Sequence, residues 1–224
     1  MGNAGTATAG RRIRGLDADQ RQAQRRQQLL DAALALIAAR GYANTSIEQI
    51  CQTAYVGTKG FYELFDSKES CYLALLEETI GRVGERMVAA LRDAPPDEDE
   101  AIRALASAFA HAVADDPRVA RATLGQTGSI SPAVDRHQRE SRRWGAHFIE
   151  HAWRRYGLVC APADELHMVA VGVVGGSFDL VVDWLHEQGD GPGDIDALID
   201  ALTGFHGLVR AGLATRTPEA GARR

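Results

Sequence analysis

Residues 53–70 read TAYVGTKGFYELFDSKES, and they break a chain otherwise patterned for long helices. Gly57 and Gly60 stand three residues apart within it, and the aromatic pair Phe61 and Tyr62 follows at once. Just upstream, NTSIEQI (44–50) carries two overlapping capping-box signals, Ser46 with Gln49 and Thr45 with Glu48, either of which can open a helix. Ile47, Ile50, Cys51 and Ala54 give that helix a buried stripe. Downstream, DSKE (66–69) starts another helix, capped by Asp66 or Ser67, with Tyr72, Leu75, Leu76, Ile80 and Val83 on its apolar face. Only a tight turn and one very short helix fit between them.

The turn has the parts it needs. Ala54 is small where the chain changes direction, Val56 fills the corner, and Gly57 is an acceptable if weak N-cap. Phe61 and Phe65, four residues apart, anchor the short helix, whose other face presents Thr58, Lys59, Gly60 and Tyr62. Short helices joined in this way make a helix-turn-helix. A slim polar helix suits a major groove about 12 Å wide. Gly60 costs helix stability, roughly 1 kcal/mol relative to alanine, and its missing side chain allows the backbone close to DNA.

Working outward, Leu29, Leu30, Ala33, Leu34 and Ile37 mark a helix from about Arg21 that ends at Gly41, a C′ glycine. Residues 1–20 are small and basic with almost no large apolar side chains, and they read as a disordered arm. Its Arg11, Arg12 and Arg14 suit either a minor groove or a merely solubilising tail. Past Pro95 and Pro96, helices are expected over 99–114, 118–126, 133–157, 163–187 and 194–213, with Pro117, Pro132, Pro162 and Pro192 at the gaps. No stretch alternates with period two for long enough to require a sheet. The expectation is an all-α chain of about nine helices, with the tail after Thr215 frayed.

Composition narrows the partners. Of 224 residues, 45% are hydrophobic and 25% charged, enough for a sizeable core. There is no run of 18 apolar residues and no secretory leader pattern, so no membrane partner and a cytoplasmic setting are expected. Cys51, Cys71 and Cys160 lack metal or disulfide spacing and read as small buried thiols. Net charge is −5, but residues 1–70 hold nine Lys or Arg against seven Asp or Glu. The front of the chain is therefore the side able to face a polyanion.

The run 33–70, ALALIAARGYANTSIEQICQTAYVGTKGFYELFDSKES, resembles the DNA-binding domain of the tetracycline-repressor (TetR) family. The resemblance rests on Gly41-Tyr42, on Ser46 through Ile50, and on Phe61, Tyr62, Phe65 and Lys68. It implies that Thr45 and Ser46 bond phosphate oxygens, that Tyr62 and Lys68 hold the DNA backbone, and that Thr58, Lys59 and Gly60 face the bases. Two positions depart from the family pattern. Tyr55 stands where a turn glycine is usual, either straining the turn or adding a phosphate contact, and Gly57 stands where a hydroxyl is common.

One small reading head selects an operator weakly, so a dimer is expected. Gly172, Gly175 and Gly176 are costly in a helix unless another backbone packs on them. With Val181 and Trp184, and with Leu198, Leu202, Phe205 and Val209 of the last helix, they form the expected interface. In the family two such helices per subunit build a four-helix contact, and an apolar cavity holds a small-molecule effector. Phe109, Trp144, His147, Phe148, His151 and Phe178 are its candidate lining, with Val134, His137, Ser141 and Ala152 on the same face as Trp144. No cofactor and no resident metal are expected.

HFIEH (147–151) also satisfies the H-x-x-E-H pattern of a zinc hydrolase, with Glu150 as base. It hangs on three residues in an amphipathic helix, and ordinary polar positions are the simpler account. The implied function is a ligand-responsive regulator, a repressor released from a pseudo-palindromic operator by its effector. An activator on the same scaffold is the alternative. The organisation is an arm at 1–20, a helix-turn-helix domain at 21–67, an effector-binding and dimerisation domain at 68–214, and a tail at 215–224.

Overall fold

In the computed structural model, residues 18–125, 129–158, 163–188 and 194–215 are described, and all regular structure among them is helical. The arm arginines, Cys160, Pro162, Pro192 and the tail after Thr215 lie outside the described residues. The head comprises α1 (Ala18–Arg40), α2 (Ile47–Ala54) and α3 (Thr58–Tyr62). The remaining helices are α4 (Lys68–Arg92), α5 (Glu98–Ala114), α6 (Pro117–Thr123), α7 (Pro132–Arg155), α8 (Ala163–Gln188) and α9 (Ile195–Thr215). The first helix begins three residues earlier than expected, because Ala18 and Gln20 are good helix formers and Asp19 favours a helix N-terminus.

Local signals set the ends. Gly41 lies at φ 80° and its N–H donates to the Ile37 carbonyl, closing α1 in the left-handed conformation that glycine reaches without a Cβ clash. Ser46, not Thr45, is the N-cap of α2: its hydroxyl accepts the Gln49 N–H at 3.2 Å while Gln49 Oε1 accepts the Ser46 N–H at 2.9 Å. Ser67 caps α4 reciprocally with Ser70, and Ser131 opens α7 by accepting the Val134 N–H, with Pro132 in the first turn.

Three buried clusters organise the chain. The first joins α1, α2 and α3 with the start of α4, around Leu30, Ile50, Phe61 and Tyr72, and also takes in Val119 and Ala122 of α6 and Val134 of α7. The second joins α5, α6, α8 and α9 around Ala110, Val181 and Leu202. The third joins α7, α8 and α9 around Ala146, Trp153 and Val173. Helix α6 thus contributes to two cores, and α4 is anchored in the head by Cys71, Tyr72, Leu75 and Leu76 although it continues to Arg92.

Helix α8 is apolar nearly all round. Its stretch Glu165–Glu187 is long and apolar enough to cross a membrane by length and composition, and 33% of it is buried in the chain. The absence of an unbroken apolar run in the sequence hid this, since Asp179 and Asp183 interrupt it. Its buried side packs on α7 and α9, and its other side is uncovered.

Candidate nucleic-acid interface and internal cavity

The head presents one polar edge. Thr58 and Lys59 of α3 are exposed, Tyr62 is half exposed, and Gly57 before them is open to solvent. Phe61 on the opposite side is fully buried and stacks edge-on against Tyr62 and tilted against Phe65, which holds the short helix at a fixed angle. Gly60 has a reason internal to the fold as well: a Cβ there would meet Val56 Cγ1 at 3.0 Å, tight against the corner residue. At Gly57, with φ −65°, an added Cβ meets nothing within 4 Å, so neither space nor backbone requires glycine.

Tyr55 takes the left-handed conformation, φ 55° and ψ 35°, as the C-cap of α2, with its N–H bonded back to that helix. It is 95% exposed, so the whole ring projects from the turn. Among described non-glycine residues it alone has positive φ.

Two residues assigned to DNA contact are placed differently. Thr45 is 2% exposed, and its hydroxyl donates to the Gly41 carbonyl at 3.0 Å, so it ties the α1–α2 loop instead of facing outward. Lys68 turns its ammonium under the same loop, donating to the Tyr42 carbonyl at 2.9 Å and the Thr45 carbonyl at 2.8 Å, with Nζ 4.1 Å from the Tyr42 ring centre. Partial burial lowers its pKa. The loop carbonyls explain both placements: those of Gly41 and Thr45 take these side-chain donors, and that of Tyr42 takes Lys68 in addition to the Thr45 N–H at 3.2 Å, since buried carbonyls demand donors.

Behind the head lies a cavity of about 280 Å³ between α4, α5, α7 and α8. Phe109, Trp144, Phe148 and Phe178 line it as expected from sequence, with Phe109 stacked on Phe178 at 6.1 Å and Trp144 on Phe148 at 5.6 Å. Ser141 and Ala152 join them, whereas Val134 is buried in the head cluster and His137 is not in the wall. His147 and His151 do not line the cavity either; both are exposed, because the apolar side of α7 that carries Trp144 and Phe148 points inward and takes the wall.

Sequence inspection missed the polar groups of this wall. Thr79 is buried and its hydroxyl has no hydrogen-bond partner, while Gln138 and Arg142 lie on α7. His206 of α9 sits 3.0 Å from the Ser177 hydroxyl, and burial pushes its pKa down to about 4, so it is neutral at pH 7. Thr123 and Leu124, at the end of α6, are also in the wall, and the Tyr72 hydroxyl donates to the neighbouring Ala122 carbonyl at 2.8 Å.

The expected interface divides into two sets. Val181, Trp184, Leu198 and Leu202 are buried in the chain's own core, and Gly176 admits Phe205, whose Cζ lies 2.7 Å from where a Cβ would be. Phe205 and Val209 pack on the third cluster. Gly172 and Gly175 have open space beside them on the helix that also exposes Met168 and Val171, and Leu208 of α9 is exposed as well. An apolar-all-round helix gives no periodic signal to tell these two faces apart.

Residues 29–75 match the model of the bacterial regulatory proteins, tetR family. The transcriptional activator FasR of Mycolicibacterium smegmatis is 28% identical over 183 residues, covering 81% of this chain and 81% of that protein. The transcriptional regulator TcmR of Streptomyces glaucescens is 36% identical over 84 residues, 38% of this chain and 35% of its own. Among solved structures, FadR from Bacillus subtilis in complex with stearoyl-CoA superposes with a TM-score of 0.69 at 20% identity, covering 83% of this chain and 98% of that one. The matched segment spans the helix-turn-helix and the start of α4, so this region is similar throughout to the DNA-binding head of the tetR family of bacterial regulatory proteins, and the relatives matched beyond it are transcriptional regulators.

Proposed function

We propose that the chain binds a pseudo-palindromic operator as a homodimer in the bacterial cytoplasm, represses from it, and is released by a largely apolar small molecule. The observation that carries this is the position of α6. Its Val119 and Ala122 belong to the core of the head, while Thr123 and Leu124 form part of the cavity wall. A ligand that favours a different α6 position shifts the head with it, and differential affinity for the two arrangements is all that such control requires.

In this reading residues 21–67 form the head and 68–214 the sensor. Thr58, Lys59 and Gly60 face base edges. Ser46, Tyr55, Gly57 and Tyr62 flank the phosphates, Lys68 and Thr45 brace the loop behind them, and no membrane partner is involved. The uncovered faces of α8 and α9, with Gly172, Gly175, Met168, Val171 and Leu208, supply the dimer contact. The effector is an apolar body with a polar end, matched by the aromatic wall and by Thr79, Gln138 and Arg142. The stearoyl-CoA bound by the FadR of the same fold makes long-chain acyl thioesters the first ligands to test.

Fragmented genomic DNA pulled down by the purified protein and sequenced tests the proposal. Enrichment of a few sites sharing an inverted repeat is expected, with binding weakened at least about tenfold in Lys59→Ala and Tyr62→Ala without loss of fold. Unchanged affinity in both variants removes the assignment of the head's reading face. The activator relative FasR favours a second reading, in which the bound dimer raises transcription. Transcript levels of the gene beside the site, with and without the regulator, separate repression from activation.

A further inference from the structure

The HFIEH segment has a partner that its spacing does not reveal. Glu150 of α7 is 5% exposed, and its two oxygens are both engaged: Oε2 accepts from Arg154 at 2.9 Å, and Oε1 lies 2.6 Å from Nδ1 of His167 on α8. His147, one turn before Glu150 on α7, places its ring 5.4 Å from that of His167. One ligand atom from each of His147, Glu150 and His167 lies within 4.8 Å of the others. His151, the second histidine of the motif, is exposed and not part of this group.

We propose that His147, Glu150 and His167 form a binding site for a divalent transition-metal ion that bridges α7 and α8. Two imidazoles and a carboxylate are a donor set that zinc and its first-row neighbours accept. Bonds of about 2.0–2.1 Å place tetrahedral donors about 3.3 Å apart, so on binding the 2.6 Å Glu150–His167 pair opens slightly as the metal replaces their shared proton, while His147 draws in. The exposed His147 ring is free to make that movement, whereas Glu150 is already fixed by Arg154 and leans on His167. Water completes the coordination on the exposed side, which leaves the site open to exchange with solvent.

The site does not recreate a hydrolase. Glu150, the residue that the motif casts as a base for bound water, is buried and held by a guanidinium, so it serves as ligand and anchor. The bridged helices both contribute to the cavity wall, Trp144 and Phe148 from α7 and Val174 and Phe178 from α8. Metal occupancy therefore stiffens the joint between two walls of the cavity.

The test uses tag-free full-length protein, stripped with a chelator and titrated with zinc in a calorimeter, with cobalt absorption as a second probe. About one zinc per chain is expected, together with visible cobalt bands of a four- or five-coordinate site. His147→Ala and His167→Ala are expected to weaken zinc binding tenfold or more, and His151→Ala to leave it unchanged. Both histidines are at least partly exposed, so the variants are expected to fold, which their thermal unfolding checks. Absence of zinc binding by the stripped protein overturns the proposal. Equal affinity in His147→Ala and His167→Ala, or loss in His151→Ala, overturns it too.

Discussion

Tyr55 is held in a conformation that costs an L-residue about 1–2 kcal/mol, and it buries no ring surface in return. Glycine adopts the same angles without a Cβ penalty. Tyr55→Gly is therefore expected to stabilise the chain by about 1 kcal/mol, read as a higher denaturation midpoint. It is also expected to weaken operator binding, because the ring projects from the turn just before α3. A variant that is more stable and binds DNA as well as the parent leaves the ring with no DNA contact. Thr45 and Lys68 teach the complementary point at this scale. Their residue types fit a phosphate site, but Lys68 answers carbonyls 26 and 23 residues away, a demand set only once the loop has folded.

Helices were the most legible elements, because prolines and caps punctuate the chain and 3.6-residue stripes run between them. The helix-turn-helix was legible because each of its parts has a local cause: Ser46 as cap, Val56 in the corner, Phe61 and Phe65 as anchors. The faces of α8 and α9 were not. Val181, Trp184, Leu198 and Leu202 carry the same apolar signal as Met168, Val171 and Leu208, yet the first four are buried and the last three exposed. Likewise His167 pairs with Glu150 across 17 residues and two helices, beyond any local pattern. The uncovered side of α8 makes its own prediction. In Gly172→Glu the added Cβ meets nothing within 4 Å, so the fold is expected to persist while the dimer dissociates. Sedimentation reads the mass, and a dimer of undiminished affinity places the interface elsewhere.

For the molecule as a whole, His206 links stability to pH. Its pKa is about 4 in the folded chain, below the ordinary value of 6.5, because burial disfavours the imidazolium. Between those two values the unfolded chain binds a proton that the folded chain does not, so stability is full above pH 6.5 and falls as pH drops towards 4. The loss amounts to roughly 3 kcal/mol from this group. Denaturation midpoints measured from pH 7.5 to 4 are expected to decline in the parent and to decline less in His206→Asn. Parallel curves assign the acid sensitivity to other groups.

Helix α4 runs unbroken for 25 residues, with Tyr72 locked into the head near one end and Met87 at the cavity wall towards the other. At 1.5 Å per residue it is a rod of roughly 37 Å, close to the 34–36 Å that separates successive major grooves. A rod of that length tilted by only about 5° carries its far end about 3 Å sideways. In the proposed dimer, leverage of this kind turns a tilt of a few degrees at the cavity into a mismatch between the spacing of the two heads and the pitch of DNA.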